Sequence, residues 1–258
     1  MLDCQIAILE NAIARYLAKN EIPKPMGSRH PSIAPFEAFK TKDSHIIIAA
    51  GNEKLFEKLC NVLNIPEISM SDGPHGVRYE HGRGWSRLEN ADDQATYLPT
   101  GITLASTWNK SLGLQYGRVL GSEAKERNKN IILGPGINII RSPLNGRNFE
   151  YLSEDPYLTA QMAIGYVNGV QEHGVAACAK HFAAYGFPEA GRDYNTADIN
   201  KYTLYNNVLP PFKAALDAGV STFMNAFNTL NEVPATGSKF LQRDILKGDW
   251  GFEGFVVS

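Results

Sequence analysis

The apolar positions of the N-terminal part of the chain predict a helix, a strand and a second helix. Apolar residues recur at helical spacing over residues 4–19, and a polar connection rich in proline covers residues 20–44. The run His45–Ala50 is apolar and predicts a strand, and Asn52 can cap a following helix with one apolar face. Residues 1–64 are therefore predicted to form a helix–loop–strand–helix segment.

From about residue 65 onward, short apolar runs alternate with long amphipathic stretches. This alternation is typical of βα units around a parallel sheet. The predicted strands are Ile131–Leu133 with Ile137–Ile140, Val175–Ala179, Val220–Met224 and Phe255–Val257. The predicted helices cover residues 109–128, 156–172, 200–217 and 238–247.

Polar side chains follow the ends of these predicted strands. In a (β/α)₈ barrel the carboxyl ends of the strands form the rim on which an active site is built. We therefore expect a site on this rim, drawn from Asp72, Arg141, Arg147, Lys180, His181 and Asn225.

The composition is that of an ordinary globular protein. Hydrophobic residues make up 43% of the chain, and the net charge of -2 favours neither nucleic acid nor an anionic membrane as a partner. No stretch approaches the ~20 apolar residues of a membrane span, and Asp3 and Glu10 interrupt any signal-peptide pattern. As written, the chain is expected to stay in the cytoplasm, although a parent enzyme could be exported.

Three widely spaced cysteines, Cys4, Cys60 and Cys178, form no CxxC pair. They suggest neither a disulfide framework nor a zinc site, so we expect buried thiols. The sequence predicts no metal and no cofactor.

Four segments carry candidate chemistry. Alone, each has an ordinary interpretation: Asp72 before Gly-Pro suits a turn, and a Lys-His pair suits a surface charge beside a satisfied histidine. The Gly-Pro-Gly sequence lacks the spacing and the Lys-Ser/Thr of a phosphate loop, so that function is rejected. The segments are residues 70–78 (MSDGPHGVR), 134–150 (GPGINIIRSPLNGRNFE), 179–182 (AKHF) and 223–228 (FMNAFN).

Taken together, the four segments favour a sugar pocket. A sugar ring carries neighbouring hydroxyl groups, which a carboxylate can accept from and which Arg, Lys and His can donate to. Such charge-assisted hydrogen bonds are roughly twice as strong as neutral ones. A pocket of Asp72, Arg147, Lys180 and His181 would favour an exo-acting enzyme that takes the terminal sugar.

The motifs DGPHGVR, GRNFE followed by SEDPYL, KHF and WGFEGFVVS occur in that order. Through them residues 65–258 resemble glycoside hydrolase family 3, of the bacterial β-glucosidase type. The resemblance implies an α/β fold with an incomplete (β/α)₈ TIM-type barrel. It also implies a retaining hydrolase of O-glycosyl bonds in carbohydrate metabolism. The expected ligand is a β-linked glucoside or related oligosaccharide, with no nucleic acid and no membrane as partner.

The resemblance also implies roles for individual residues. It makes Asp72 an acceptor of sugar hydroxyls, and Arg147, Lys180 and His181 donors. It places Arg78, Arg192 and Met224 at the pocket wall. One departure is Phe227, which stands where the family often has a tyrosine.

No catalytic residue is expected within the chain. The resemblance places the nucleophilic aspartate just after Ser258 and the acid/base in a further domain, so we expect sugar binding without turnover. Glu150, Glu154 and Asp155 are expected to cap or pack. Since a barrel interrupted at a strand exposes an edge, we also expect poor solubility or self-association.

The N-terminal segment, residues 1–64, suggests a different origin. LDCQIAILENAIARYL and the stretch from RHPSIAPFEAF to NVL resemble class III CoA-transferases of the formyl-CoA and carnitine-CoA transferase type. The match lacks that family's catalytic aspartate, and neither Asp3 nor Asp43 is given a catalytic role. We hypothesise a chimera of two gene fragments joined near Ile65.

Three functions remain open from the sequence: a β-glucosidase-like hydrolase fragment, a CoA-transferase fragment, and a non-catalytic carbohydrate-binding remnant. Turnover of an aryl β-glucoside, acyl-CoA exchange, and glucose binding without turnover would distinguish them.

Overall fold

The computed structural model of the protein describes residues 10–20, 22, 24–25, 27–30, 33–78 and 95–258. Contacts between Cα atoms divide the chain into two compact units, Met1–Glu67 and Ile68–Ser258. Each unit is described separately below.

The first unit contains a helix, an antiparallel hairpin and a second helix. The strand and the second helix are confirmed, and the side chain of Asn52 caps that helix by accepting from the Leu55 N–H at 3.0 Å. The first strand of the hairpin was missed, because it lies within the stretch that we predicted as an irregular connection. Of the predicted helix over 4–19, residues 4–9 lie outside the described part. The elements are α1 (Glu10–Lys19), β1 (Phe36–Lys40), β2 (His45–Ala49) and α2 (Glu53–Val62).

The second unit is built on a five-stranded parallel sheet with the order β10-β7-β5-β4-β3. A small separate sheet has the order β6-β8-β9. The predicted fold class is confirmed: α/β, with the parallel sheet of an incomplete (β/α)₈-type barrel. The strands are β3 (Met70–Ser71), β4 (Ile131–Ile132), β5 (Ala176–Phe182), β6 (Thr196–Ala197), β7 (Thr222–Asn225), β8 (Thr229–Leu230), β9 (Val233–Pro234) and β10 (Phe255–Val257).

Helices follow the strands along the chain. The predicted helices over 109–128 and 156–172 are confirmed, but the one over 200–217 is broken by a π-helical turn before Pro210, and the one over 238–247 is wound as a π-helix. The α-helices are α3 (Gly101–Ser106), α4 (Lys110–Glu126), α5 (Pro156–Gln171), α6 (Lys201–Thr203) and α7 (Pro210–Asp217). The π-helices are Leu204–Val208 and Phe240–Asp249, and short 3₁₀ turns occur at Asn148–Glu150 and Ala235–Gly237.

The predicted strand Ile137–Ile140 is wrong. This stretch contacts β5 through an isolated β-bridge between Gly136 and Lys180, and then through the side chain of Asn138. The amide of Asn138 accepts from the His181 N–H at 2.8 Å and donates to the His181 carbonyl at 2.9 Å. This clamp fixes the end of β5, which runs further than predicted and includes both residues of the Lys-His pair.

Helices α4 and α5 approach each other through glycines. A Cβ atom added at Gly117 would lie 2.3 Å from the carbonyl oxygen of Tyr166, and one at Gly169 would lie 2.3 Å from that of Leu114. The two backbones are therefore in direct contact. Both helices contribute to a continuous core with the sheet, and its fully buried side chains include Leu120, Val167, Phe182, Phe212 and Phe223.

Candidate functional site

The candidate site lies where the parallel strands end. Asp72 directly follows β3, Lys180 and His181 directly precede the last residue of β5, and Met224 lies opposite Lys180 in the register of β7. Since parallel strands present their carboxyl ends at one edge, these side chains meet there. Arg147 joins them from the loop that connects β4 to α5.

Lys180 is the centre of an ion cluster. Its side chain is 2% exposed, and its Nζ atom lies 2.7 Å from Oδ1 of Asp72 and 3.4 Å from Oε2 of Glu150. Gly136 makes room for this arrangement, because a Cβ atom there would lie 2.7 Å from the Glu150 carbonyl oxygen. A buried ammonium is thus compensated by two carboxylates, as burial of a charge requires.

Asp72 is held as a carboxylate. Burial acts to raise its pKa, but Lys180, the N–H of Gly73 and the charge of Arg78 outweigh that effect, so the pKa lies below its ordinary value. The hydrogen bonds from Lys180 and Gly73 both go to Oδ1. Among the described residues no hydrogen bond reaches Oδ2, which leaves an anionic acceptor at a partly exposed position.

Arg147 is clamped on three sides. Its Nε donates to Glu150, its Nη1 donates to Asp193 at 2.7 Å, and its guanidinium lies over the ring of Tyr185 at 5.1 Å. Burial acts to lower the pKa of Arg147, but the two carboxylates outweigh it and raise the pKa above its usual value. These bonds fix the plane of the guanidinium and leave it further N–H groups for a ligand.

His181 is a neutral imidazole of defined tautomer. Burial, and then the charges of Lys180 and Arg147, hold its pKa well below the ordinary value. Because arginine has only donors, Nη2 of Arg147 donates to Nε2 of His181 across 3.0 Å. The ring proton is therefore on Nδ1, which faces the hydroxyl of Tyr151 at 3.5 Å.

Comparison with known proteins identifies the family. A sequence profile of the glycosyl hydrolase family 3 N terminal domain matches residues 44–258. The chain belongs to glycosyl hydrolase family 3. The match includes residues 44–64, and the CoA-transferase resemblance of residues 2–64 stays a prediction.

Family 3 relatives agree over the same region. The chain is 45% identical over 201 residues to β-glucosidase BoGH3A of Bacteroides ovatus, and the match covers 77% of this chain and 27% of the relative. The solved structure of β-glucosidase 3B from Thermotoga neapolitana in complex with glucose is 37% identical, with a TM-score of 0.67, and the match covers 76% of this chain and 27% of that one. A mutant β-glucosidase from Listeria innocua in complex with laminaribiose is 32% identical, with a TM-score of 0.69, over 80% of this chain and 27% of that one. The chain thus spans about a quarter of the length of these proteins.

The structure brings four of the predicted site residues of this family 3 chain into one network: Asp72, Arg147, Lys180 and His181. The other three lie around it. The largely exposed side chain of Arg192 contacts Asp193, a partner of Arg147, at 3.0 Å, and Met224 is half-buried beside Lys180. The exposed Arg78 donates its backbone N–H to the carbonyl of Asp72.

Two members of the network were missed. Glu150 is expected from the sequence to cap or pack, but it is buried between Arg147 and Lys180. The sequence predicts no role for Asp193, which pairs with Arg147. Their signals were weak: Glu150 stands three residues after Arg147, and Asp193 directly follows Arg192. Asp155 behaves as expected, because it caps α5 by accepting from the Leu158 N–H.

Two other residues, Arg141 and Asn225, were predicted at the rim. Arg141 is exposed, and the buried Asn225 accepts from Gln242. Lys180 and Glu150 are among the residues that line a cavity of about 20 Å³, enough for one water molecule but not for a sugar ring. Any ligand would therefore contact the network from solvent, where the side chain of Asp72 is partly exposed.

Within the described residues no group of three His, Cys, Asp or Glu side chains is arranged to hold a metal ion. None of the helices described combines the length and the apolar character that crossing a membrane requires.

Proposed function

We propose that this chain is the sugar-binding part of a retaining, exo-acting β-glucosidase-like hydrolase of O-glycosyl bonds in carbohydrate metabolism. The observation that carries the proposal is the ion network at the strand ends. It presents an anionic acceptor, Asp72, beside the fixed donors Arg147 and Lys180. The glucose and laminaribiose in the solved relatives support a β-linked glucoside or related oligosaccharide as the ligand.

The carboxylates of the network bind and position rather than attack. Retaining hydrolysis needs a nucleophile and an acid/base about 5–5.5 Å apart. Asp72 and Glu150 each contact Lys180, and Asp193 contacts Arg147. Because each of these carboxylates is engaged by a cation, we propose that none of the three is the nucleophile or the acid/base.

Isothermal titration of the purified chain with glucose, beside an assay with an aryl β-glucoside, tests the proposal. We expect binding without turnover. Asp72→Asn removes the anionic acceptor and should weaken glucose binding by about tenfold or more. Asp155→Asn is the matched control, since asparagine also caps helices and the residue lies outside the network. Turnover, or equal affinity of Asp72→Asn and the unchanged chain, would contradict the proposal.

A separate hypothesis concerns the N-terminal segment. We propose that residues 1–64 are a class III CoA-transferase-like fragment without catalytic function, as their sequence resemblance implies. Acyl-CoA exchange catalysed by the chain would contradict this. The alternative of a non-catalytic carbohydrate-binding remnant also predicts binding without turnover. The remnant alternative differs from the proposal in one respect: it requires that a longer protein containing this chain does not hydrolyse glycosides.

We also propose that the chain self-associates. Strands β3 and β10 occupy the two edges of the described sheet, and Phe255 of β10 exposes about half of its side chain. Unpaired strand edges with apolar side chains are templates for pairing with another chain.

A further inference from the structure

Asn145 lies in the loop between β4 and α5, two residues before Arg147, and is 6% exposed. Its Oδ1 accepts from the Arg147 N–H at 2.8 Å, and its Nδ2 donates to the Tyr185 carbonyl at 2.7 Å. Because an N–H only donates and a carbonyl only accepts, these two partners fix the orientation of the amide. One buried side chain thus joins the loop after β4 to the chain that follows β5.

The two residues that Asn145 joins also meet through their side chains. The guanidinium of Arg147 lies over the ring of Tyr185 at 5.1 Å. Its Nη2 donates to His181 at 3.0 Å, and the rings of His181 and Tyr185 lie 4.7 Å apart. Asn145 therefore sets the distance between the backbone of Arg147 and the ring on which its guanidinium rests.

A second pair of contacts joins the same two loops. The Gly146 N–H donates to the Gly191 carbonyl at 2.7 Å, and Nη1 of Arg147 donates to Asp193 at 2.7 Å. Of these contacts, the bond from Asn145 is the one that holds the main chain of Arg147 itself. In an alanine variant the Arg147 N–H would lose this partner, and buried backbone groups require one.

A buried loop asparagine is commonly a structural residue, whose loss lowers stability and nothing else. Asn145 differs because its bonds go to the main chain of a sugar donor and to the residue beneath that donor. A donor that is already fixed before the ligand arrives loses little conformational freedom on binding. The position of Arg147 should therefore appear in the affinity for the sugar.

We propose that Asn145 is a positioning residue for sugar binding, which acts by holding Arg147 in place. Asn145 itself does not contact the sugar. The inference rests on the proposed function, because only there is Arg147 a donor to sugar hydroxyls.

Titration calorimetry of the 258-residue chain with glucose tests the inference. Asn145→Ala should weaken glucose binding by about three- to tenfold, because Arg147 must then be ordered by the sugar. Asn145→Asp keeps the volume of the side chain and the acceptor for the Arg147 N–H, so it remains testable if Asn145→Ala does not fold. It loses only the bond to the Tyr185 carbonyl and should weaken binding by about two- to threefold.

Asn231→Ala is the matched control. Asn231 accepts from the Ile199 N–H at 2.9 Å and donates to the Ile199 carbonyl at 3.0 Å, so it makes a similar pair of backbone bonds outside the network. Its φ of 49° also makes alanine strained at this position. Asn231→Ala should therefore lower stability and leave the glucose affinity unchanged.

The NMR signals of the arginine side chains give a readout that a loss of stability alone would not move. The Nε–H signal that disappears in Arg147→Lys belongs to Arg147, whose Nε donates to Glu150. In the absence of sugar, we expect Asn145→Ala to shift or broaden this signal. Asn231→Ala should leave the signal unchanged.

The outcomes separate the inference from the proposed function. If glucose binds the folded Asn145 variants as tightly as the unchanged chain, the inference is overturned while the proposed function stands. An equal loss of affinity in Asn145→Ala and Asn231→Ala, or an unchanged Arg147 signal in Asn145→Ala, also overturns the inference. If glucose does not bind the unchanged chain, the proposed function fails and the inference fails with it.

Discussion

Lys180 combines deep burial with a formal charge, and its two carboxylate partners make that combination tolerable. Replacing it by methionine would leave Asp72 and the buried Glu150 without their shared cation. Removal of one partner from a buried ion pair costs about 3–5 kcal/mol. We therefore expect Lys180→Met to lower the free energy of unfolding by about that amount, measured by urea titration with circular dichroism.

The matched control is an ion pair of similar length on the surface. Arg118 donates to Glu172 at 2.6 Å, and both side chains are well exposed. Since water screens such a pair, Arg118→Met should leave the urea midpoint unchanged. Equal destabilisation by both variants would show that burial does not set the cost.

His181 predicts a pH dependence of stability. Its pKa in the folded protein lies well below the ordinary value of 6.5. At a pH between the folded-state pKa and this ordinary value, the unfolded chain therefore binds a proton that the folded protein does not. The free energy of unfolding should therefore fall as the pH drops below about 6.5, by up to about 1.4 kcal/mol per pH unit. The depressed pKa of Asp72 acts only below its ordinary value of 3.8, in a separate range.

Unfolding measured between pH 7 and pH 5 checks this expectation. The slope should flatten in His181→Gln and persist in His45→Gln, which replaces an exposed histidine of β2. An unchanged slope in His181→Gln would assign the pH dependence to other groups.

At the residue scale, the sequence predicts the members of the site that stand in recognisable motifs. Asp72, Arg147, Lys180 and His181 do meet in one network. Glu150 and Asp193 could not be assigned, because a carboxylate beside an arginine in sequence is as often a surface charge as a buried partner. For Glu150, the choice depends on the close approach of the Gly136 backbone to it in space. For Asp193, it depends on the path of the loop that follows β5.

At the scale of elements, the contact between α4 and α5 predicts an unusual response to a small substitution. Alanine favours a helix over glycine by up to about 1 kcal/mol. At Gly117, however, the new methyl group would lie 2.3 Å from the carbonyl oxygen of Tyr166. We expect Gly117→Ala to lower the free energy of unfolding by about 1–3 kcal/mol, measured by urea titration.

Gly237→Ala is the control for this contact. A Cβ atom at Gly237 meets nothing within 4 Å. Its free energy of unfolding should stay within about 0.5 kcal/mol of the unchanged chain. A neutral Gly117→Ala would mean that the helices separate at little cost.

Elements with long periodic patterns were predicted well, and the errors have physical causes. Helices α4 and α5 are long enough for the helical period to be clear. In the predicted helix over 238–247, a short apolar pattern did not distinguish an α-helix from the π-helix Phe240–Asp249. Strand β1 was hidden because its five residues follow a proline-rich stretch, and its pairing with β2 is visible only in space.

At the scale of the whole molecule, the two edge strands of the sheet formed by the described residues, β3 and β10, predict association. We expect the mass measured by sedimentation to rise with protein concentration. Phe255→Lys places a charge on β10 at the edge and should suppress this rise. Leu144→Lys changes an exposed apolar residue of a loop and should not. A concentration-independent monomer would contradict the proposed self-association.

The two units differ in how far they bury their apolar side chains. No residue of α2 is buried, and Ile47 and Val62 are among the exposed side chains of the first unit. The second unit contains the continuous core. Binding, pH and stability effects at the network are therefore expected to report on the second unit.

The pair of Asp72 and Lys180 joins positions 108 residues apart. Contacts of such long sequence separation close late and slowly when a chain folds. Helices such as α4 and α5 involve local contacts, so their circular dichroism should return before glucose affinity does. The recovery of glucose affinity during refolding would therefore report when strands that are distant in sequence have paired in their native register. By mass action, the same sugar would favour the completed sheet over its partly folded forms.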